Sequence, residues 1–211
     1  MLSKKLLVID KNSTYWGETV NLVREQYRKA FDAVVNPTPD LFAVLVGQEE
    51  GVGIEERVFA GVGLTHDSEY GFFSEKYLND SIQNIIQDRE QDYVHRSEIL
   101  EVGSMASAGN HAGAGLIRSL PILTWCLGKK YAIVTLTRHV RYMLNKMGLK
   151  FDPIEKAVGS KLDSNSQQQW GGYYDNRPET CYIRIDRTMN LMQKHTGTYK
   201  FKQIEIDLVS A

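Results

Sequence analysis

Glu101 stands in the apolar run Ile99-Leu100-Glu101-Val102, and the chain then passes through Gly103-Ser104-Met105-Ala106-Ser107 into a stretch almost bare of side chains, Ala108 to Gly115. A carboxylate among such neighbours is expected to have a raised pKa, because desolvation disfavours its charge. A raised pKa brings it towards useful basicity at neutral pH, which makes Glu101 the candidate general base. Two plainer readings compete: Glu101 faces solvent on the outer side of its strand, or it pairs with a basic residue such as Arg138. Ser104 and Ser107 could offer a hydroxyl near a reacting group. Neither sits in a Gly-x-Ser-x-Gly elbow and no histidine stands beside them, so a nucleophilic serine is not expected.

Gly113, Ala114 and Gly115 precede a segment, Leu116 to Leu127, that reads as a helix. A helix N-terminus presents unpaired backbone N–H groups and partial positive charge, and small residues let a phosphate approach them. Gly113, Ala114 and Gly115 are therefore the candidate phosphate cradle, against the alternative of a tight turn with small residues for packing. No Gly-Lys-Ser/Thr follows, and the full Gly-x-Gly-x-x-Gly is absent. Further along, Thr137, Arg138 and His139 end an apolar strand. Thr137 reads first as a helix cap. Arg138 could grip a carboxylate or phosphate, and His139 could shuttle a proton. Trp170, Tyr173 and Tyr174 cluster among glycines ahead of Pro178, either walling an apolar pocket or tying down a surface loop.

The elements that must position these groups follow from periodicity and breakers. Trp16, Val20, Val23, Tyr27 and Phe31 mark a helix behind a cap at Thr14, after a short strand or lead-in from Leu6 to Ile9. "LFAVLV" and "RVFAGVGLT" form an antiparallel hairpin with a long polar loop. Asp80 caps a short helix carrying Ile82, Ile85 and Ile86. "SEILEVGSM" and "YAIVTLT" are strands on either side of the Leu116–Leu127 helix, where Pro121 forces a bend or a later start. Val140, Leu144 and Met147 stripe the next helix, which Gly148 stops. "TCYIRI" is a strand, Arg187 to Lys194 a final helix, and "TYKFKQIEIDLV" an alternating edge strand. This order predicts a mixed α/β layer architecture, an α+β domain spanning residues 1–211, with 187–211 as an extension.

The chain has 211 residues, 42% hydrophobic and 24% charged, with a net charge of −1. That balance suits a globular domain and gives no basic field for nucleic acid. The five histidines are scattered without ligand spacing, so no metal is expected. Cys126 and Cys181 are expected as buried free thiols. Leu6 to Ile9 is too short for a secretory core and no run reaches the roughly 18 apolar residues of a membrane span, so a cytoplasmic protein without stable membrane insertion is expected.

Two resemblances sharpen these readings. Asn110-x-x-Gly113-x-Gly115 resembles the pyrophosphate turn of the GNAT-type acyltransferases, Gln/Arg-x-x-Gly-x-Gly/Ala, with Asn110 where Gln or Arg would stand. "ILEVGSMAS", "LPILTWCLGKKYAIVTLTRHVRYMLNKMGLKF" and "WGGYYDNRPET", with "FAGVGLT" and "FFSEKYLNDSIQNII", resemble the thermostable haemolysin-like bacterial family from about Leu41 to Ile185. The resemblance implies a GNAT-like, mostly antiparallel central sheet flanked by helices, shared with the acyl-homoserine lactone synthases. It implies an acyltransferase taking an acyl group from acyl-CoA or from the phosphopantetheine thioester of an acyl-carrier protein, its one macromolecular partner, to a small amine such as an amino acid. In the autoinducer synthases a glutamate occupies the strand of Glu101 in a Glu-x-Ser-Arg setting; here Glu101-Val102-Gly103-Ser104 lacks the arginine. Glu101, Ser104 and Arg138 become the expected catalytic set, and Thr137, His139, Trp170, Tyr173 and Tyr174 the expected substrate pocket. The tyrosine many GNAT enzymes use as general acid is replaced by Leu144, leaving Tyr173 or Tyr174 for that role. A haemolytic, membrane-damaging protein and a non-catalytic ligand-binding module are the competing expectations.

Overall fold

Residues 4–48 and 56–194 are described in the computed structural model. The tip of the predicted hairpin loop, 49–55, and the predicted edge strand Thr198–Val209 lie outside the described residues. The strands β1 (Lys5–Ile9), β2 (Leu41–Gln48), β3 (Glu56–Thr65), β4 (Ile99–Ser107), β5 (Tyr131–Leu136), β6 (Asp152–Lys156) and β7 (Glu179–Arg184) form one seven-stranded sheet in the order β1-β2-β3-β4-β5-β7-β6. Every pairing is antiparallel except β4 with β5. That parallel pair needs a crossover, and α3 (Asn110–Cys126) supplies it.

Side-chain alternation sorts the helices onto two faces. Ile99, Ile133 and Tyr182 pack with Ile82 and Ile86 of α2 (Ile82–Glu90), and Phe42, Val44 and Val46 pack with Val23 of α1 (Trp16–Phe31). Leu100, Val102, Ala132 and Val134 point the other way. They meet Leu116 and Ile117 of α3, Leu144 of α4 (Arg138–Met147) and Leu191 of α6 (Met189–Lys194).

α1, α4 and their stripes lie where the periodicity puts them, and Gly148 closes α4 at φ 78°. Other boundaries differ. Ser81 caps α2, accepting from Asn84 N–H at 3.2 Å, while Asp80 beside it accepts from Ser81 N–H. Tyr15 rather than Thr14 precedes α1. The polar tract contains the short helix α5 (Ser164–Gln169), capped by Asp163. α3 starts six residues before the predicted Leu116, and Pro121 lies inside it without ending it. Cys181 is buried as expected, whereas Cys126 is exposed, because it falls in the last turn of α3, away from the core.

Candidate functional site

The sheet opens beside Glu101. β4 and β5 pair from Ile99–Tyr131 to Val102–Val134, after which β5 continues only with β7. Between the pairs Gly63–Gly103 and Gly61–Ala106, β3 advances two residues and β4 three. This bulge is taken up where Ser104 adopts φ 50°, in the left-handed region. The extra residue bends β4 away from β5 and leaves a gap in the middle of the sheet.

Glu101 lies at that gap with 7% of its surface exposed. It meets neither solvent nor Arg138. The 3-10 turn Phe73–Tyr77 aims its first amides at the carboxylate: Phe73 N–H donates to Oε2 and Ser74 N–H to Oε1, both at 2.8 Å. Ser74 Oγ also donates to Oε1, at 2.5 Å. Burial pushes the Glu101 carboxyl above its ordinary range, and the three donors pull against that rise. The turn is fixed from behind. Glu75 accepts from Phe72 N–H and Ile82 N–H and pairs with Arg96 through both oxygens. Beyond Ser74 a chain of hydroxyls runs to Thr135 and on to Thr180, each step 3.0 Å.

A cavity of about 430 Å³ opens above Glu101, between α1, the 3-10 turn and the segment around Trp170. Its walls include Tyr27, Phe73, Trp170 and Tyr173, and its floor Glu101, Gly103 and Ser104. Phe73 and Trp170 have ring centroids 5.7 Å apart, and Trp170 and Tyr173 4.9 Å. Gly171 explains how this cluster reaches the sheet. At φ 48° it lies so close to the end of α1 that a Cβ would meet Phe31 O at 2.4 Å, and Val34 N–H donates to Gln169 O nearby. Burial raises the Tyr27 phenol to about 12, against the pull of a hydrogen bond with the Met105 backbone. Burial also raises Tyr77, whose hydroxyl lies 2.7 Å from that of Tyr174.

A second, smaller cleft of about 30 Å³ lies on the opposite face, walled by Met105, Ile117, Leu120, Leu144 and Ile183. Val102 lines both spaces, which lie on opposite sides of β4.

The expected site residues are thus only partly brought together. Glu101, Ser104, Trp170 and Tyr173 line the larger cavity, and Tyr174 adjoins it through Tyr77. Thr137 caps α4, accepting from Val140 N–H at 3.4 Å, the plainer of its two readings. Arg138 and His139 are exposed in the first turn of α4 and line neither space. Asn110 opens α3, and Gly113, Ala114 and Gly115 lie within that helix rather than in a loop. Gly113 N–H is spent on Gly109 O at 3.2 Å. Gly109 through Ala112 are the positions whose amides have no acceptor within this helix. Close packing explains Gly113 better: a Cβ there would meet Ser107 Oγ at 3.0 Å. Sequence reasoning missed Tyr27, Phe73, Ser74, Tyr77 and Thr135. Thr135 alone carried a signal, a hydroxyl in register with Tyr131 and Ile133 on a buried strand face. Among the described residues no group of side chains could hold a metal ion.

Comparison with solved structures gives likeness of fold at low identity. An N-acyl amino acid synthase from uncultured soil microbes, FeeM, superposes with a TM-score of 0.59 at 9% identity, over 90% of this chain and 96% of its own. The CoA-dependent acyl-homoserine lactone synthase BjaI, solved with SAM and isopentyl-CoA, gives 0.58 at 10% identity over 92% and 90%. The AHL synthase LasI gives 0.54 at 12% over 88% and 90%. The mixed, mostly antiparallel GNAT-like sheet expected from the sequence is the architecture these proteins share. No curated protein matches the sequence. The family model described as "Thermostable hemolysin" matches residues 9–189, and the chain belongs to that family.

Proposed function

We propose that the protein is an acyltransferase that moves an acyl group from an acyl-CoA or acyl-carrier-protein thioester to a small amine, with Glu101 as the general base. The observation that carries this reading is a buried, oriented carboxylate at the floor of an aromatic-walled cavity, beside a gap in the sheet. A carboxylate oxygen has two in-plane lone pairs. Oε1 already receives two donors, both from Ser74, while Oε2 receives one, from Phe73. Oε2 is therefore the oxygen left to take a proton from an incoming ammonium or amine. Its raised pKa suits the task, and the Phe73 and Ser74 donors hold it in one orientation.

In this reading the amine nitrogen attacks the thioester carbonyl carbon. The C–N bond forms, the C–S bond breaks, and Glu101 Oε2 takes the amine's proton and passes it to the departing thiolate, which leaves as the thiol and returns Glu101 to the carboxylate. The acyl chain is directed at the apolar cleft under α3 and α4, which at about 30 Å³ must widen to take it, and the acceptor enters the larger cavity. The phosphates of the donor lie near the Gly109–Ala112 amides. Acyl-transferring synthases among the proteins of like fold support the same class of chemistry.

The test is turnover of hexanoyl-CoA, and of hexanoyl-loaded acyl-carrier protein, with a panel of amines, read by thiol release and product mass. Glu101→Gln should remove turnover while keeping the fold. Full activity in that variant would reject Glu101 as the base.

A further inference from the structure

We infer that Lys76 binds a carboxylate of the acceptor, so that the acceptor is a free amino acid with an apolar or aromatic side chain, entering amine first. This rests on the acyl-transfer reading and names its second substrate.

Of the described residues that line the larger cavity, only Glu101 and Lys76 are charged. Glu101 is buried at the floor, and Lys76 is exposed at the mouth. The other cations around the turn are already engaged. Arg96 pairs with Glu75 and Asp67, and Lys161 donates to Tyr77 O and Asn79 Oδ1. Lys76 makes no ion pair with a described residue; its ammonium lies 5.0 Å from the Phe73 ring centroid.

One short turn sets both poles. Its N-terminal amides hold Glu101, and three residues after Phe73, on the same side of a 3-10 helix, comes Lys76. Glu75 and Arg96 anchor that turn, which fixes where the backbone of Lys76 stands relative to Glu101. Phe73, Trp170 and Tyr173 wall the same cavity. The charges favour one direction for a zwitterion: its ammonium towards Glu101, its carboxylate towards Lys76, its side chain on the rings. An amine without a carboxylate would leave Lys76 with nothing to bind, and the reverse orientation would set like charges together.

The experiment compares phenylalanine with phenethylamine, which differ by the carboxylate alone, for wild type, Lys76→Met and Lys76→Arg. Binding is followed by tryptophan fluorescence, to which Trp170 contributes, and turnover by product mass with hexanoyl-CoA. Wild type should prefer phenylalanine by at least tenfold in Kd and in kcat/KM. Lys76→Met should collapse that ratio by about tenfold through KM rather than kcat, and Lys76→Arg should keep most of it. Equal use of the two compounds by wild type, or an unchanged ratio in Lys76→Met, overturns the inference. Should Glu101→Gln kill turnover while Lys76→Met keeps the preference, acyl transfer stands and this inference falls. Should carboxylate binding depend on Lys76 with no thioester consumed, the inference stands and acyl transfer falls.

Discussion

Ser74 grips one oxygen of Glu101 with two of its own groups, its amide at 2.8 Å and its hydroxyl at 2.5 Å. Both donors favour the charged carboxylate, against burial, which favours the neutral acid. Ser74→Ala removes one of them. The Glu101 pKa should then rise further, and the acid limb of the kcat/KM profile should move to higher pH. An unmoved limb would mean that Glu101 is not the group titrating in the profile.

The same raised pKa has a sign in stability. A carboxyl raised in the folded state favours folding most when protonated, so its stabilising contribution is present at low pH. That contribution is lost as pH rises from the ordinary value of 4.5 through the folded value. The melting-temperature difference, wild type minus Glu101→Gln, should therefore fall with rising pH over that window. A flat difference would place the folded-state pKa at its ordinary value.

Glu90 behaves in the opposite sense. The residue is half-buried with its side chain covered, accepts from Tyr182 OH at 2.6 Å, and pairs with Arg184 and Arg187 at 2.7 and 2.6 Å. Burial works to raise its carboxyl, but the three partners together hold it below the ordinary range. Its stabilising contribution is present above the unfolded value and lost as pH falls through the folded one. Glu90→Ala should cost no more than about 3 kcal/mol, the low end for a buried pair. The low end applies because Arg184 and Arg187 keep Asp186 and Asp152. Acid unfolding of the variant should also begin at higher pH, read by circular dichroism.

α1 reaches the sheet because Gly61 leaves room for Thr19; a Cβ on Gly61 would meet Thr19 Cγ2 at 2.6 Å. Gly61→Ala should destabilise by about 1–3 kcal/mol as an overpacked core position. It should also weaken acceptor binding, because α1 carries Tyr27 into the cavity wall. Adding Thr19→Ser removes the clashing methyl while keeping the hydroxyl that donates to Tyr15 O. The double variant should recover most of the loss, and failure to recover would show that the contact does not set the helix position.

The family description invites a haemolysis test. N-acylated amino acids are amphiphiles, so lysis of red cells by the purified protein should require added thioester and amine, and should vanish in Glu101→Gln. Lysis by that variant alone, at equal protein concentration, would favour direct membrane damage.

Much of the fold was legible because its cues are local: helical stripes from Trp16 to Phe31, the cap at Thr137, the stop at Gly148. Glu101 was legible for the same reason, a carboxylate in an apolar strand. What holds it was not. Phe73 and Ser74 lie 28 and 27 residues away in sequence, and a turn whose free amides seek an anion has no pattern of its own. The glycines before Leu116 left two readings open because small residues suit both an open cradle and a tightly packed first helical turn. Only the approach of Ser107 to Gly113 separates the two. Arg138 and His139 misled because the end of a strand can lie beside a cleft or beside solvent, and here α4 carries them outward.

The surplus residue in β4 has a consequence for how the protein would work in time. In the acyl-transfer reading the donor and the acceptor approach the breach it makes from opposite sides of one wall, so each reactant has its own door. Neither has to depart before the other arrives. The two would wait together on the protein, so steady-state plots at several fixed amine concentrations should intersect, where a double-displacement enzyme would draw them parallel.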